Sequence, residues 1–330
     1  NSWFSDVLNN ITTSATTTPV TAPAVMPTAK KGKQAYSGKV LTKINLNDRD
    51  SNKETYHIEI EAEGLEYQCG DSIGIVPEND SQVVTDIIAL TNIDGNKSLE
   101  FKKEKFTICE LLKRKINIFH LTERLIQQYA TTTGHEIPHG RADLLDILKT
   151  YPVKNGAQFE EILVGLNGIS PRLYTIASSP AAHEGEVHIV VVKDTFIAND
   201  KKRFGICSDF LSKLKLNSTQ QFFVQPNKRF RPPAENKDII MVGPGTGIAA
   251  FRSFLAERDA TGASGRNWLF FGEQHFASDF LYQTEIQNWH ETGVLTNINL
   301  AFSRDQTEKI YVQHKMLQHG AELYDWLNGG

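Results

Sequence analysis

The apolar run Ile239-Ile-Met-Val242 is followed at once by Gly243-Pro-Gly-Thr-Gly247, and Ile248–Ala256 then reads as a helix. Glycines at such a strand-to-helix junction let backbone N–H groups approach a pyrophosphate closely, and the helix N-terminus favours its negative charge. The candidate contacts are Gly243, Gly245, Thr246 and Gly247. A glycine-rich turn without a ligand is the alternative, and the strand-turn-helix context weighs against it. Farther on, Ser303 and Arg304 follow the apolar end Leu300-Ala-Phe302, with Lys309, Ile310, Tyr311, Val312 and Gln313 beyond. A site for an unphosphorylated ribose would carry an acidic residue at a strand end. A hydroxyl, a guanidinium and an ammonium complement a 2′-phosphate instead, and Tyr311 can stack on adenine. Asp305 and Glu308 stand among these cations, so a solvated basic helix start is the plain alternative.

A second group precedes the first. Arg172, Leu173, Tyr174 and Thr175 lie on one short strand, with Tyr174 facing opposite to Leu173 and Thr175. An arginine can neutralise a cofactor phosphate, an aromatic ring can cover an isoalloxazine face, and a hydroxyl can contact the flavin N5 edge. Thr175 is therefore the candidate catalytic residue. Gly205-Ile206-Cys207-Ser208 opens a helix expected over Asp209–Leu214, a second anion-accepting helix start. An ordinary edge strand is the alternative for the first piece. Cys207 reads as a small packed residue and His188 as a satisfied histidine on an apolar strand.

These pieces need elements to hold them. Ser2–Asn10 reads as a helix end, and Thr12–Lys33, rich in Thr, Ala and Pro, as a linker that implies a further domain before it. Val40–Leu46 and Tyr56–Glu61 alternate apolar with polar, which predicts a half-buried antiparallel sheet. Ser81–Lys149 changes to three-to-four spacing and predicts a mostly helical insertion. Strands resume at Arg172–Ala177, Val187–Val192 and Gln221–Val224. After Pro232-Pro233 the texture alternates strand and helix, which predicts a parallel sheet with helices on its faces. The expected organisation is 1–34 as domain end and linker, 35–232 as a sheet domain with its insertion at about 80–165, and 233–330 as an incomplete α/β domain.

Over 330 residues, 40% hydrophobic composition supports packed cores. A net charge of -4 argues against a nucleic-acid binder, which needs a concentrated basic surface. No apolar run approaches the ~18 residues that span a bilayer, so no membrane partner is expected. Three cysteines without metal-ligand spacing suit a reducing cytoplasm, and no metal site is expected.

From about Tyr36 to Gly330 the chain resembles the ferredoxin-reductase-like half of the diflavin reductases, in particular the flavoprotein subunits of NADPH-sulfite reductases. The resemblance rests on Pro171–Ser179, Met241–Phe251, Asn267–Gly272, Asp279–Gln283 and Ser303–Gln306 with Lys309–Gln313. It implies a multi-domain α+β fold: a Greek-key FAD-binding β-barrel, a helical connecting insertion and a parallel α/β NADP-binding domain. Arg172–Thr175 and Gly205–Ser208 would bind FAD, flanked by Val190, Val191, Val192 and Phe196. Ser303, Arg304 and Lys309–Gln313 would bind NADPH. The implied activity is hydride transfer from NADPH to FAD. Electrons would pass through a flavodoxin-like FMN domain in cis to the haemoprotein subunit that reduces sulfite, or to another haem acceptor of the cytochrome P450 type. A non-catalytic assembly module is the third reading.

Four departures are local: Thr175 stands where many relatives carry Ser, which keeps the hydroxyl, Ala250 and Cys69 stand where the family usually carries Pro, and Glu273-Gln274 stand where some relatives carry Arg, adding negative charge near the dinucleotide. The family also continues past Gly330 into a Cys-Gly-Asp strand and a terminal aromatic that shields the flavin. Its catalytic Cys and Asp therefore match no residue of this sequence.

Overall fold

The computed structural model describes residues 34–140, 142–198 and 201–329. The expected helix end at Ser2–Asn10 and linker at Thr12–Lys33 lie outside the described residues. The chain forms two compact units, one of residues up to Ile75 with Leu173–Phe204 and Ser212 onward, the other of Val76–Arg172 with Gly205–Leu211.

The first strands are β1 (Ala35–Asn45), β2 (Thr55–Glu61) and β3 (Ser72–Ile75), followed by a hairpin of β4 (Ser98–Phe101) and β5 (Glu104–Thr107). Next come β6 (Arg172–Thr175), β7 (Glu186–Val192), a second hairpin of β8 (Thr195–Ala198) and β9 (Lys201–Phe204), and β10 (Thr219–Gln225). Six of these make one sheet in the order β6-β3-β10-β1-β2-β7. The pairs β1–β2, β1–β10, β3–β10 and β2–β7 are antiparallel. The alternation is partial in its outcome: along β2, Thr55, His57, Ile58 and Ile60 are buried, Tyr56 and Glu59 half-buried and Glu61 exposed. Past the end of β6, Ile176 bridges Ile189 of β7, and the Ala177 amide donates to the His188 carbonyl at 2.8 Å.

In the same unit, β11 (Ile239–Val242), β12 (Asn267–Glu273) and β13 (Asn297–Phe302) form a parallel sheet in that order. The strand-helix alternation after Pro232-Pro233 thus has its expected outcome. Helices Ile248–Ala260, Phe276–Asp279, Gln283–Glu291, Val312–Gln318 and Gly320–Gly329 follow these strands. Trp268, Leu269, Phe270 and Phe271 are fully buried, as a central strand covered on both faces requires. One apolar core joins Cys69, Ala177 and Val190 to Met241, Phe254, Leu269 and Tyr282. The helix Ile248–Ala260 buries residues on nearly every side, including Arg252 and Ser253.

The second unit packs helices Ser81–Thr91, Glu123–Thr133, Leu144–Thr150 and Gly156–Gly165 around Ile87, Leu111, Leu112, Ile126, Phe159 and Leu163. Asp80 and Asn155 cap two of them through side-chain oxygens that accept from Gln82 and Gln158 amides. The hairpin β4–β5 is a departure from the mostly helical expectation. Leu99, Phe101 and Phe106 set a period of two, and Lys102 and Lys103 take positive φ of 54° and 74°, the backbone of a tight hairpin turn.

Candidate functional site

The turn after β11 is built by three glycines with three different reasons. A Cβ on Gly243 would stand 2.6 Å from Phe251 Cδ2 and 3.0 Å from the Gly247 carbonyl, so close packing demands glycine there. Gly245 has φ +57°, which other residues adopt at a cost. Gly247 has helical φ of -59°, and the nearest atom to a Cβ there is Pro244 Cδ at 3.9 Å. Neither packing nor backbone of the protein accounts for it. Thr246 and Gly247 are both exposed, and a 3₁₀ turn over Gly245–Gly247 leads into the helix at Ile248. The turn is open at a helix start, a geometry in which backbone N–H groups can approach an anion closely.

Beside it, β12 ends at Glu273 and β13 at Phe302. The Ser303 amide donates to the Glu273 carbonyl and the Arg304 amide to the Gln274 carbonyl, both at 2.9 Å, which fixes this turn against the end of β12. Arg304 and Lys309 are exposed, and among the described residues neither has a carboxylate partner. Asp305 is turned away: its carboxylate accepts from the Phe276 amide at 2.7 Å and contacts His275 Nδ1 at 2.8 Å. The Phe276 amide bond, aided by His275, holds that carboxyl below its ordinary value. Tyr311 is 42% exposed at the start of the helix Val312–Gln318, with its ring 5.8 Å from that of His314. Ile310, Val312 and Gln313 flank it. The Gln274 Oε1 is buried without a hydrogen-bond partner. The negative charge expected from Glu273 is offset: Lys53 Nζ lies 2.6 Å from its Oε2.

The earlier group is spread over more elements. Arg172 is exposed and has no carboxylate partner among the described residues. Leu173 is 55% exposed, Tyr174 and Thr175 are half-buried, and the Thr175 hydroxyl has no partner among the described residues. The Ile176–Ile189 bridge brings Thr175 and Val190 to adjoining positions. Val190 and Val191 bury their side chains in the core, so backbone is what they offer a ligand. Val192 is half-buried, and Phe196 lies on the β8–β9 hairpin opposite Arg203. The helix expected over Asp209–Leu214 runs from Ile206 to Ser212 instead. The Asp209 amide donates to the Gly205 carbonyl at 2.8 Å, so Gly205 caps the helix and Ile206, Cys207 and Ser208 form its first turn. Cys207 is buried, in keeping with a packed residue.

Sequence reasoning missed a buried polar network where the two sheets meet. Arg252 is bidentate to Glu285 at 2.7 and 3.0 Å, donates to the Ala177 carbonyl, and its Nη1 lies 3.2 Å from His188 Nδ1. His188 Nε2 faces Glu186 Oε2 at 2.8 Å, and His57 contacts Tyr282 Oη at 2.7 Å and Glu59 at 3.0 Å. Burial, reinforced by Arg252, holds the His57, His183 and His188 rings below their ordinary pKa, His188 to about 2. His57, Glu59 and His188 bring ligand atoms within 4.8 Å of one another. Arg252 donating to Nδ1 leaves the proton of a neutral His188 on Nε2, so this ring has no lone pair to give a metal. The network ties helix to sheet. No local motif announces it, because its members lie up to 225 residues apart.

An open glycine turn at a helix start, an exposed cationic turn and a separate antiparallel sheet are in keeping with a flavin- and nicotinamide-binding oxidoreductase module, the class that comparison with known proteins supports. Residues 28–134 match the family described as FAD binding domain, and residues 241–327 match the oxidoreductase NAD-binding domain. The chain is similar to the sulfite reductase [NADPH] flavoprotein alpha-component of Bacillus subtilis (strain 168), 40% identical over 99% of this chain and 58% of that protein. The proteins of the same description from Aliivibrio fischeri and Vibrio parahaemolyticus are 38% and 37% identical, over 89% and 94% of this chain and 51% and 52% of theirs. The chain thus spans little more than half the length of these relatives. The resemblance carried by the motifs is borne out. Among the described residues no helix is long and apolar enough to cross a membrane.

Proposed function

We propose that this chain is the NADPH-oxidising, FAD-bearing part of a reductase that supplies electrons for sulfite reduction. Its partner on this reading is a haemoprotein that reduces sulfite, reached through a flavodoxin-like FMN domain in cis. Support comes from the two matched domains and from the shared description of the relatives. The observation that carries the dinucleotide half is the turn at Ser303–Arg304. There Arg304 and Lys309 have no carboxylate partner among the described residues, while Asp305, the acid that would otherwise neutralise them, is engaged by His275 and Phe276.

When bound, FAD supplies the two-electron to one-electron conversion that nicotinamide cannot perform alone. The protein residues position and stabilise. Gly243, Gly245, Thr246 and Gly247 would cradle the pyrophosphate, and Ser303, Arg304 and Lys309 would pair with the 2′-phosphate. Tyr311 would cover the adenine, with Ile310, Val312 and Gln313 beside it. Arg172 and the first turn at Gly205–Ser208 would take the FAD phosphates. Tyr174 would lie on the flavin ring, with Leu173, Val190–Val192 and Phe196 around it. Thr175 would present its unengaged hydroxyl to the flavin edge. A closed Greek-key barrel is part of the reading; the Ile176–Ile189 bridge, which links strands at opposite ends of the sheet order, supports closure. The functional division at 35–232 and 233–330, with the helical insertion at about 80–165, and a cytoplasmic residence belong to it as well. The free state of Cys69, Cys109 and Cys207 is in keeping with a reducing compartment.

The test is an anaerobic visible spectrum of the FAD-reconstituted chain before and after stoichiometric NADPH or NADH. Bleaching by NADPH and little by NADH is expected. A chain that takes up no flavin would overturn the reading.

A further inference from the structure

Glu273 occupies a position that ought to oppose dinucleotide binding. Its side chain is 4% exposed, and Oε1 lies 3.4 Å from where a Cβ on Gly245 would stand. Oε2 accepts from the Gln274 amide at 2.9 Å, and the Glu273 backbone carbonyl accepts from Ser303. The carboxylate therefore stands between the glycine turn and the Ser303–Arg304 turn, the two places assigned to phosphates above. Two like charges a few ångströms apart in a partly desolvated site repel strongly enough to change affinity by orders of magnitude.

Lys53 cancels that charge. Its ammonium donates to both carboxylate oxygens, at 2.9 and 2.6 Å, across 220 residues of sequence. Lys53 lies on the β1–β2 connection, and that connection is pinned to the same end of the parallel sheet. The Asp48 amide donates to the Ser278 carbonyl at 2.9 Å, Asn47 Nδ2 to Asp279 Oδ1 at 2.9 Å, and Ser51 Oγ to the same oxygen at 2.5 Å. Asp279 in turn accepts from the His275 amide at 3.1 Å. The ammonium is thus carried to Glu273 by a braced loop of the antiparallel sheet.

We infer that Lys53 is a positioning residue of the dinucleotide site: it neutralises Glu273 beside the glycine turn and so lets a pyrophosphate lie there. This rests on the NADPH reading, and the experiment separates the two. NADP⁺ affinity of the FAD-reconstituted chain is measured by isothermal titration at low and high ionic strength, with FAD content and thermal midpoint taken on the same samples. Lys53→Met is expected to weaken NADP⁺ on the order of tenfold or more at low salt, with the deficit shrinking as salt screens the bare carboxylate. Lys53→Met with Glu273→Gln should recover to within about threefold of the unaltered chain, as a double-mutant cycle requires of a coupled pair. Lys53→Arg should bind as the unaltered chain does, and Glu273→Gln at least as tightly. Glu273→Gln reports even where Lys53→Met fails to fold, since weaker binding by it overturns the inference. A Lys53→Met chain equal to the unaltered one, or a deficit independent of salt, overturns it too. If the unaltered chain binds no NADP⁺, the dinucleotide reading itself falls.

Discussion

Gly247→Ala separates a ligand's demand from the protein's own. At φ -59° and ψ -21°, with Pro244 Cδ at 3.9 Å as the nearest neighbour, a methyl group fits without strain. Removing the freedom of glycine in the unfolded chain is then worth about 0.5–1 kcal/mol of stability. In a unit of this size that raises the thermal midpoint by about 1–4 °C. The same methyl would occupy the cradle where backbone must approach a pyrophosphate, so NADP⁺ affinity should fall by about tenfold or more, or ~1.4 kcal/mol. The two effects have opposite signs, which no general loss of structure produces. Gly243→Ala provides the contrast: its Cβ would meet Phe251 at 2.6 Å, and about 1–3 kcal/mol of overpacking should lower the midpoint. The assay is a thermal melt without ligand followed by titration with NADP⁺. A stabilised Gly247→Ala chain that binds NADP⁺ as before would refute the argument, because the open space at that glycine would then serve no ligand.

Arg304→Ala should weaken NADPH by about ten- to a hundredfold, the worth of a charge-assisted phosphate contact, and leave NADH nearly unchanged. Equal losses for both dinucleotides would remove Arg304 from the 2′-phosphate. Thr175→Ala should slow flavin reduction in stopped flow while FAD content stays near that of the unaltered chain; an unchanged rate would exclude the hydroxyl from the chemistry. The histidines give a pH prediction. Folding depresses the His57, His183 and His188 pKa values, so the unfolded chain binds protons first, near the free value of 6.5. Stability is therefore full above that pH and falls below it, approaching about 1.4 kcal/mol per pH unit for each ring that titrates only on unfolding. His188→Gln should flatten the decline of the thermal midpoint between about pH 6.5 and 4.5; an unchanged slope would show that this ring does not contribute.

The sequence by itself determined the pieces whose information is local. Alternation announced β1 and β2, the strand-helix texture announced the parallel sheet, and the glycine spacing marked the turn at Gly243–Gly247. Each depends on residues within one or two turns of chain, so periodicity and backbone preference suffice to read them. Boundaries were less secure. The helix begins at Ile206, because Gly205 caps it through a backbone bond that composition does not reveal. The β4–β5 hairpin hides among charged residues, with Lys102 and Lys103 in a turn where glycine would have been the signal. Only the tertiary structure decided which charges meet. The pairing of Lys53 with Glu273, the turning of Asp305 toward His275 and the burial of Arg252 against His188 join residues 220, 30 and 64 apart. Charged side chains carry no periodic mark of their partner, and strand register and helix docking alone bring such groups within hydrogen-bond reach. The chemistry the site can hold was written in short motifs; the charge state of the site was settled by contacts across the fold.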